Sequence, residues 1–185
     1  DDFDFFNPKF GINYQIDKHN RLYASYAISH KEPTRNDYQD NEVQHLKAEK
    51  LQDVEFGYRY ESPKFTAGAN FYYMYYNHQY VLTGELNDIG EMKASNENSG
   101  RSYREGVELE GAWKPVSWFR WDLNATLSRN ICKDWTVTLD DSSYNLGDTH
   151  TAFSPDVVFN NVFTFNYKGF MASVQIGRAS CRERV

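Results

Sequence analysis

Arg101-Ser102-Tyr103-Arg104-Glu105-Gly106-Val107-Glu108-Leu109-Glu110-Gly111-Ala112-Trp113 runs into Lys114-Pro115-Val116-Ser117. The chain then returns as Trp118-Phe119-Arg120-Trp121-Asp122-Leu123-Asn124-Ala125-Thr126-Leu127-Ser128-Arg129-Asn130-Ile131. Both arms alternate. Tyr103, Val107, Leu109 and Trp113 fall on one side of the first arm, and Phe119, Trp121, Leu123, Ala125 and Leu127 on one side of the second. The other side carries Arg104, Glu108 and Glu110, then Arg120, Asp122, Asn124, Thr126 and Ser128. A period of two marks a β-strand with one apolar and one wet face, and no helical period competes with it. Each arm exceeds the usual globular strand and the roughly 9–11 residues that a tilted strand needs to cross a bilayer. The pair therefore reads as a long hairpin able to span a membrane.

The same hairpin recurs three more times. Phe10, Ile12, Tyr14 and Ile16 lead into Asp17-Lys18-His19-Asn20, and Leu22, Ala24, Tyr26 and Ile28 follow. Val54, Phe56, Tyr58 and Tyr60 precede Ser62-Pro63-Lys64, with Phe65, Ala67, Ala69, Phe71, Tyr73 and Tyr75 after it. Val157, Phe159, Phe163, Phe165 and Tyr167 reach Lys168-Gly169, and Phe170, Ala172, Val174 and Ile176 return. Between the hairpins lie long polar connections, Lys31 to Lys50, Asn77 to Gly100 and Cys132 to Asp156. Eight strands joined short, long, short, long are what a membrane-spanning antiparallel β-barrel requires, with one tight rim and one elaborated rim.

Composition agrees. Aromatic residues make up 17% of the 185, among them 14 tyrosines and 13 phenylalanines. Mean hydropathy is -0.76, and no window approaches the apolar run of a transmembrane helix, which excludes a helical membrane protein. A barrel remains compatible, because only every second residue must be apolar. The net charge of -6, with no basic stripe, argues against nucleic acid as a partner.

The polar sides of the remaining strands carry Lys9, Asn13 and Gln15; Arg21, Ser25 and Ser29; Glu55, Arg59 and Glu61; Thr66 and Asn70; and Asn160, Thr164 and Asn166. Mixed charges and amides suit a wet barrel interior. A soluble sandwich with its aromatic face packed as a core would show the same alternation. The rings separate the two readings. Tyr60 and Phe65, Trp113 and Trp118-Phe119, and Tyr167 and Phe170 bracket three of the tight turns, as a membrane–water interface selects.

Eight strands could close a small barrel. The strands are long for that, and the wet side holds glycines and medium polar groups rather than a filled core. We therefore expect a segment of a larger barrel, which by itself would leave two open edges in lipid and not form a functional unit. The chain starts at Asp1 without a methionine, and a missing start says nothing about targeting. At the other end, Gly177-Arg178-Ala179-Ser180-Cys181-Arg182-Glu183-Arg184-Val185 breaks the alternation and resembles the translation of a DNA-sequencing adapter. The expected division is 1–176 as partial barrel and 177–185 as a non-native tail. Cys132 is then a lone thiol at a strand end, with no disulfide framework or metal cluster.

Several stretches resemble TonB-dependent outer-membrane receptors. Ser25-Tyr26-Ala27-Ile28-Ser29-His30-Lys31-Glu32-Pro33-Thr34-Arg35-Asn36-Asp37-Tyr38 is similar to a strand and loop entry of that family. Leu46-Lys47-Ala48-Glu49, continued through Val54-Glu55-Phe56-Gly57, resembles its Leu-x-Pro-Glu entry and Glu-x-Gly strand. Gly106-Val107-Glu108-Leu109-Glu110 resembles its Gly-Val-Glu-Leu-Glu strand. Each is weak alone, but their order and spacing cover most of Asn7 to Val174. Ala48 departs from the family's proline and loses only a fixed φ. The resemblance implies a barrel of about 22 strands with a plugged lumen, of which this chain holds about eight. It also implies uptake of a scarce ligand, such as an iron–siderophore chelate or cobalamin, across the outer membrane of a Gram-negative bacterium. The implied partners are the receptor's own plug domain and the TonB complex, both reached through upstream segments, with outer-membrane lipid and the small-molecule ligand. The alternatives are a passive outer-membrane channel or other outer-membrane barrel, and a soluble carbohydrate-binding sandwich.

Ligand contact would fall to the long-loop rim. His30 (near Glu32 and Asp37), His45, His78 and Tyr80 are the candidates there, against the plainer reading of solvated loop side chains. Tyr72, Tyr73, Tyr75 and Tyr76 must include lipid-facing positions. Asp134, Asp140, Asp141 and Asp148 lack the order of a calcium loop. Glu108 and Glu110 stand about 7 Å apart along one strand and are better explained by ion pairs with Arg59, Arg104 and Arg120 than as a catalytic pair. No Gly-x-Ser-x-Gly elbow is present, so no enzyme, catalytic residue, metal or cofactor is expected.

Overall fold

A computed structural model describes residues 2–41, 46–86, 90–95, 101–139 and 142–181. In chain order the strands are β1 (Lys9–Gln15), β2 (Asn20–Lys31), β3 (Glu49–Glu61), β4 (Phe65–Asn77), β5 (Val81–Leu86), β6 (Met92–Ser95), β7 (Arg101–Val116), β8 (Phe119–Leu139), β9 (Ser142–His150), β10 (Pro155–Tyr167) and β11 (Phe170–Cys181). One helix, α1 (Arg35–Asn41), lies between β2 and β3. The main sheet runs β1-β2-β3-β4-β7-β8-β10-β11, antiparallel throughout, and β9 adds to the outer part of β8. These eight staves are the eight alternating segments of the sequence.

The long connections hold more structure than their polarity suggests. β5 and β6 form a separate hairpin, and β9 folds back on an extended β8. Backbone groups in such loops are satisfied by pairing even where the side chains carry no alternating signal. The helix was not anticipated from any period. Its start is chemical: Thr34 and Asp37 form a capping box, with the Asp37 carboxylate accepting from Thr34 N and Oγ1 at 2.7 Å each. The third tight turn also differs. β7 continues through Pro115 to Val116, which pairs with Phe119 past an irregularity after Trp113, so Ser117 and Trp118 make the turn. Proline lacks a ladder donor and is accommodated where the register shifts.

The other turns follow from their residues. Asp17 Oδ1 accepts from the backbone of His19 at 2.7 Å and of Asn20 at 3.0 Å. The His19 bond, then the Asn20 side chain, holds the Asp17 carboxyl below its ordinary value. Lys168 and Gly169 both have positive φ, 51° and 83°, the pair of left-handed residues of a type I′ hairpin. β11 does not stop where the alternation does. It pairs with β10 through Gly177↔Asn160 and Ala179↔Val158, since a ladder needs only backbone groups.

Register sorts the side chains into two faces. Ile12, Ala24, Phe56, Phe71, Val107, Leu127 and Val157 form one transverse row of the apolar face. The polar face carries rows such as Ser25, Glu55, Tyr72, Gly106 and Ser128. The apolar face is uncovered: Phe10, Ile12, Phe56, Phe71, Leu109, Leu127, Phe159 and Val174 are all exposed. Among the described residues no second sheet packs on it, as a soluble sandwich would demand. One polar residue interrupts this face. Asn161 is buried there, and its Oδ1 accepts from the Trp121 indole at 2.9 Å.

Rings gather at the tight-turn rim as expected. Tyr60 meets Phe65 at 6.0 Å, Phe119 meets Phe165 at 5.2 Å, and Trp121 stacks on Phe163 at 6.1 Å. A smaller belt, Tyr73 stacked on Tyr103 at 6.1 Å, lies toward the long loops.

Candidate functional site

Two surfaces can do chemistry of recognition, the polar face and the long-loop end. On the polar face the staves are locked by close cross-strand pairs. Gly57 lies opposite Tyr23 and Gly106 opposite Tyr72. A Cβ at Gly57 would stand 2.0 Å from Tyr23 Cζ, and one at Gly106 2.6 Å from the Tyr72 hydroxyl. Glycine at these positions lets each ring lie over the neighbouring strand. Arg59 bridges Glu61 and Glu110, and Arg120 pairs with Asp122. Thus Glu110 has the expected arginine, while Arg104 stands 5.2 Å from the Tyr76 ring centroid instead.

Other polar groups on this face are left open. Among the described residues neither Glu55 nor Glu108 has an ion-pair partner. Asp53 Oδ1, Asn70 Oδ1 and Arg104 Nε are buried without a hydrogen bond. Two concavities collect these groups apart from Asp53. One, of about 360 Å³, lies between Tyr23, Asn70, Glu108, Glu110, Asn124 and Thr126. The second, of about 380 Å³, is bounded by Glu55, Tyr72, Arg104, Glu108 and Phe153. Phe153 is 75% exposed at a φ of 55°, an unusual backbone state for a bulky side chain. Nothing in the sequence singled it out.

At the long-loop end the candidate residues separate. His30 shares the face of Tyr26 and Ile28 by strand parity, stacks on Phe5 at 5.1 Å and places Nδ1 2.8 Å from Asn7 Oδ1. His78 and Tyr80 lie between β4 and β5. The Tyr80 amide donates to Glu49 Oε2 and its hydroxyl to the Lys47 carbonyl, both at 3.2 Å. Burial first, then Lys47, pushes the His78 pKa below its ordinary value. His78 and Tyr80 therefore share one neighbourhood, which His30 does not join. His45, Asp140 and Asp141 lie outside the described residues. Asp37 is spent in the helix cap. Asp134 pairs with Arg101 at 2.5 Å and Asp148 with Lys133 at 3.7 Å. Among the described residues no three His, Cys, Asp or Glu side chains converge.

Sequence reasoning missed the small core that organises this end. Val81, Cys132 and Trp135 are buried together. The Ser102 hydroxyl donates to Gln79 Oε1, and Cys132 Sγ lies 3.4 Å from Thr151 Oγ1. These contacts tie the second long connection to the third. Trp135 does head an alternating run, Trp135-Thr136-Val137-Thr138-Leu139, that extends β8, whereas Val81 and Cys132 stand in no such run and gave no signal.

Several solved structures share this arrangement of strands. The ferric yersiniabactin uptake receptor FyuA from Yersinia pestis superposes with a TM-score of 0.59 at 18% identity, over 91% of this chain and 24% of the receptor. The siderophore receptor PirA from Pseudomonas aeruginosa gives 0.65 at 15% identity, over 93% and 30%. The copper transporter OprC gives 0.66 at 15%, over 88% and 24%. The chain thus spans roughly a quarter of the length of the receptors whose fold it shares. No curated protein matches it in sequence. The family model described as "TonB dependent receptor-like, beta-barrel" matches residues 1–180, and with the membrane-type sheet described above this establishes that the chain belongs to that family.

Proposed function

We propose that the chain forms neighbouring staves of a receptor that imports a scarce ligand, such as an iron–siderophore chelate or cobalamin, through a Gram-negative outer membrane. The supporting observation is the contrast between the two faces. The apolar rows suit lipid, whereas on the polar face, among the described residues, the ion pairs include neither Glu55 nor Glu108. Glu55 is half-buried and Glu108 exposed on this face, and once a domain seated in the lumen covers them they require compensating charge. The receptor's own plug domain, seated in the lumen, would supply it. Passage is then gated by the plug, which the TonB complex of the inner membrane displaces. The protein binds and admits its ligand without breaking a bond, so it is not an enzyme. His78 and Tyr80, with His45, are the proposed first contacts at the loop end. The packing of His30 on Phe5 and Asn7 supports a structural role for it.

A passive channel would leave the same carboxylates in water and conduct continuously. The full-length receptor separates the two. In planar bilayers it is expected to show no steady conductance, and whole cells lacking TonB are expected to lose uptake of the labelled ligand. Steady conductance, or uptake indifferent to TonB, overturns the reading.

Residues 177–185 are proposed to be foreign to the receptor. Arg178 stands opposite Phe159 in the row that also holds Leu109 and Ala125. A guanidinium at mid-bilayer depth costs about 2–4 kcal/mol. Reading the genomic locus past codon 176 tests this, and finding the same nine codons there rejects it.

A further inference from the structure

Beside each of the four tight turns stands one lysine: Lys18, Lys64, Lys114 and Lys168. Two of them meet. Beyond Phe65↔Trp113 the Lys114 amide donates to the Lys64 carbonyl at 2.8 Å, so the ladder sets Lys64 directly opposite Lys114. Side chains alternate along a strand, and both lysines take the parity of Thr66, Asn70, Glu108 and Glu110. They therefore stand on the wet side of the wall, whereas Phe65 and Trp113 stand on the apolar side. Lys168, on the neighbouring turn, differs: its Nζ lies 5.3 Å from the ring centroid of Tyr167.

Like charges directly opposite each other destabilise a sheet. Among the described residues no carboxylate relieves this pair: neither ammonium enters an ion pair, and both lysines are exposed. The carboxylates close to this rim are already engaged. Arg59 holds Glu61, Arg120 holds Asp122, and Asp17 accepts from the amides of its own turn. The mouth of the lumen is thus positive at this point, on a chain whose net charge is -6.

We propose that the domain seated in the lumen presents an acidic patch at the tight-turn mouth, which neutralises Lys64 and Lys114. Lys114 lies six residues beyond Glu108 on the same face. That is about 20 Å along β7 at about 3.3 Å per residue, or about 15 Å along the bilayer normal at a tilt near 40°. A compact domain of about 100 residues has a radius of gyration of about 13 Å, so one body reaches both places. Its surface is then basic against Glu55 and Glu108 and acidic against Lys64 and Lys114. This reversal of sign along the barrel axis fixes the depth and the orientation at which the domain sits. A lipid headgroup fits less well, because the two lysines lie on the wet side of the wall. The inference rests on the reading that a plug occupies the lumen.

The test is zero-length crosslinking of the full-length receptor in outer-membrane vesicles. A water-soluble carbodiimide joins an amine to a carboxylate only where the two are in contact. Peptide mass spectrometry is expected to find Lys64 or Lys114 linked to an aspartate or glutamate of the upstream domain. Lys133 and Asp148, 3.7 Å apart, are the internal control. If that link forms and neither Lys64 nor Lys114 is joined to the upstream domain, the proposal is overturned. Charge variants give a second readout in planar bilayers. Lys64→Arg/Lys114→Arg keeps the charge and should leave the receptor closed. Lys64→Glu/Lys114→Glu should raise its conductance severalfold while the barrel stays heat-modifiable on gels. Changing the linked carboxylate to lysine in the charge-reversed receptor should restore closure. A charge-reversed receptor as closed as the unsubstituted one also overturns the proposal. Steady conductance in the unsubstituted receptor would instead mean that the plug reading itself has failed, so the two failures are told apart.

Discussion

Tyr23 of β2 fills the space that a side chain at Gly57 of β3 would need, its Cζ standing 2.0 Å from where a Cβ would be. Tyr72 and Gly106 repeat the relationship between β4 and β7. Both pairs lie on the polar face, where they replace a packed core as the feature that fixes neighbouring staves. Gly57→Ala is therefore expected to destabilise the full-length receptor by about 1–3 kcal/mol, the usual cost of overpacking. Urea unfolding in detergent measures it. Adding Tyr23→Ala should recover much of the loss, since contacting residues are not additive.

The two faces should respond oppositely to charge. Leu109→Arg places a guanidinium in the lipid-facing row and should cost about 2–4 kcal/mol. Asn124→Arg, on the wet face beside Glu110, should cost far less. Yield of heat-modifiable barrel in the outer membrane reports the difference. Equal losses at both positions would mean that the faces are assigned the wrong way round.

Cys132 is fully buried against Trp135 and Val81, so maleimide should not label it in the folded receptor. Trp135→Ala should expose it, because removing a large buried ring typically costs about 3–5 kcal/mol. The expected outcome is rapid labelling in that variant while the barrel keeps its mobility on gels. The loop-end core would then melt independently of the staves.

His78 has its pKa lowered by burial and by Lys47. The folded loop thus favours neutral imidazole, and its stability is fully present above the unfolded value of about 6.5. That contribution falls as pH drops below this value and is lost through the lower folded pKa. Lys47→Gln should raise the His78 pKa toward its ordinary value. Imidazole NMR titration of the loop in the intact receptor measures both. The protection of the Tyr80 amide against hydrogen exchange, relative to an unstructured amide at the same pH, should fall over the same acidic range in the unsubstituted protein, because that amide donates to Glu49 within the loop.

The sequence by itself determined the staves, their two faces and the tight rim. Period two is a local property, and each run such as Leu123-Asn124-Ala125-Thr126-Leu127 states it without reference to any partner. The turns were nearly as legible, because Asp17 and Lys168-Gly169 act on their own backbone. The outward parity of His30 could also have been read, two residues beyond Ile28. Only the tertiary structure decided the rest. Register brought Tyr23 to Gly57 and Arg59 to Glu110, and it left Glu55 and Glu108 unpaired among the described residues. Packing between loops made a core of Val81, Cys132 and Trp135. It also raised Arg129 and Lys133 over Tyr103, joining residues of β7 and β8. Such contacts depend on which strands become neighbours and by how many residues they slide. No single strand's pattern records that.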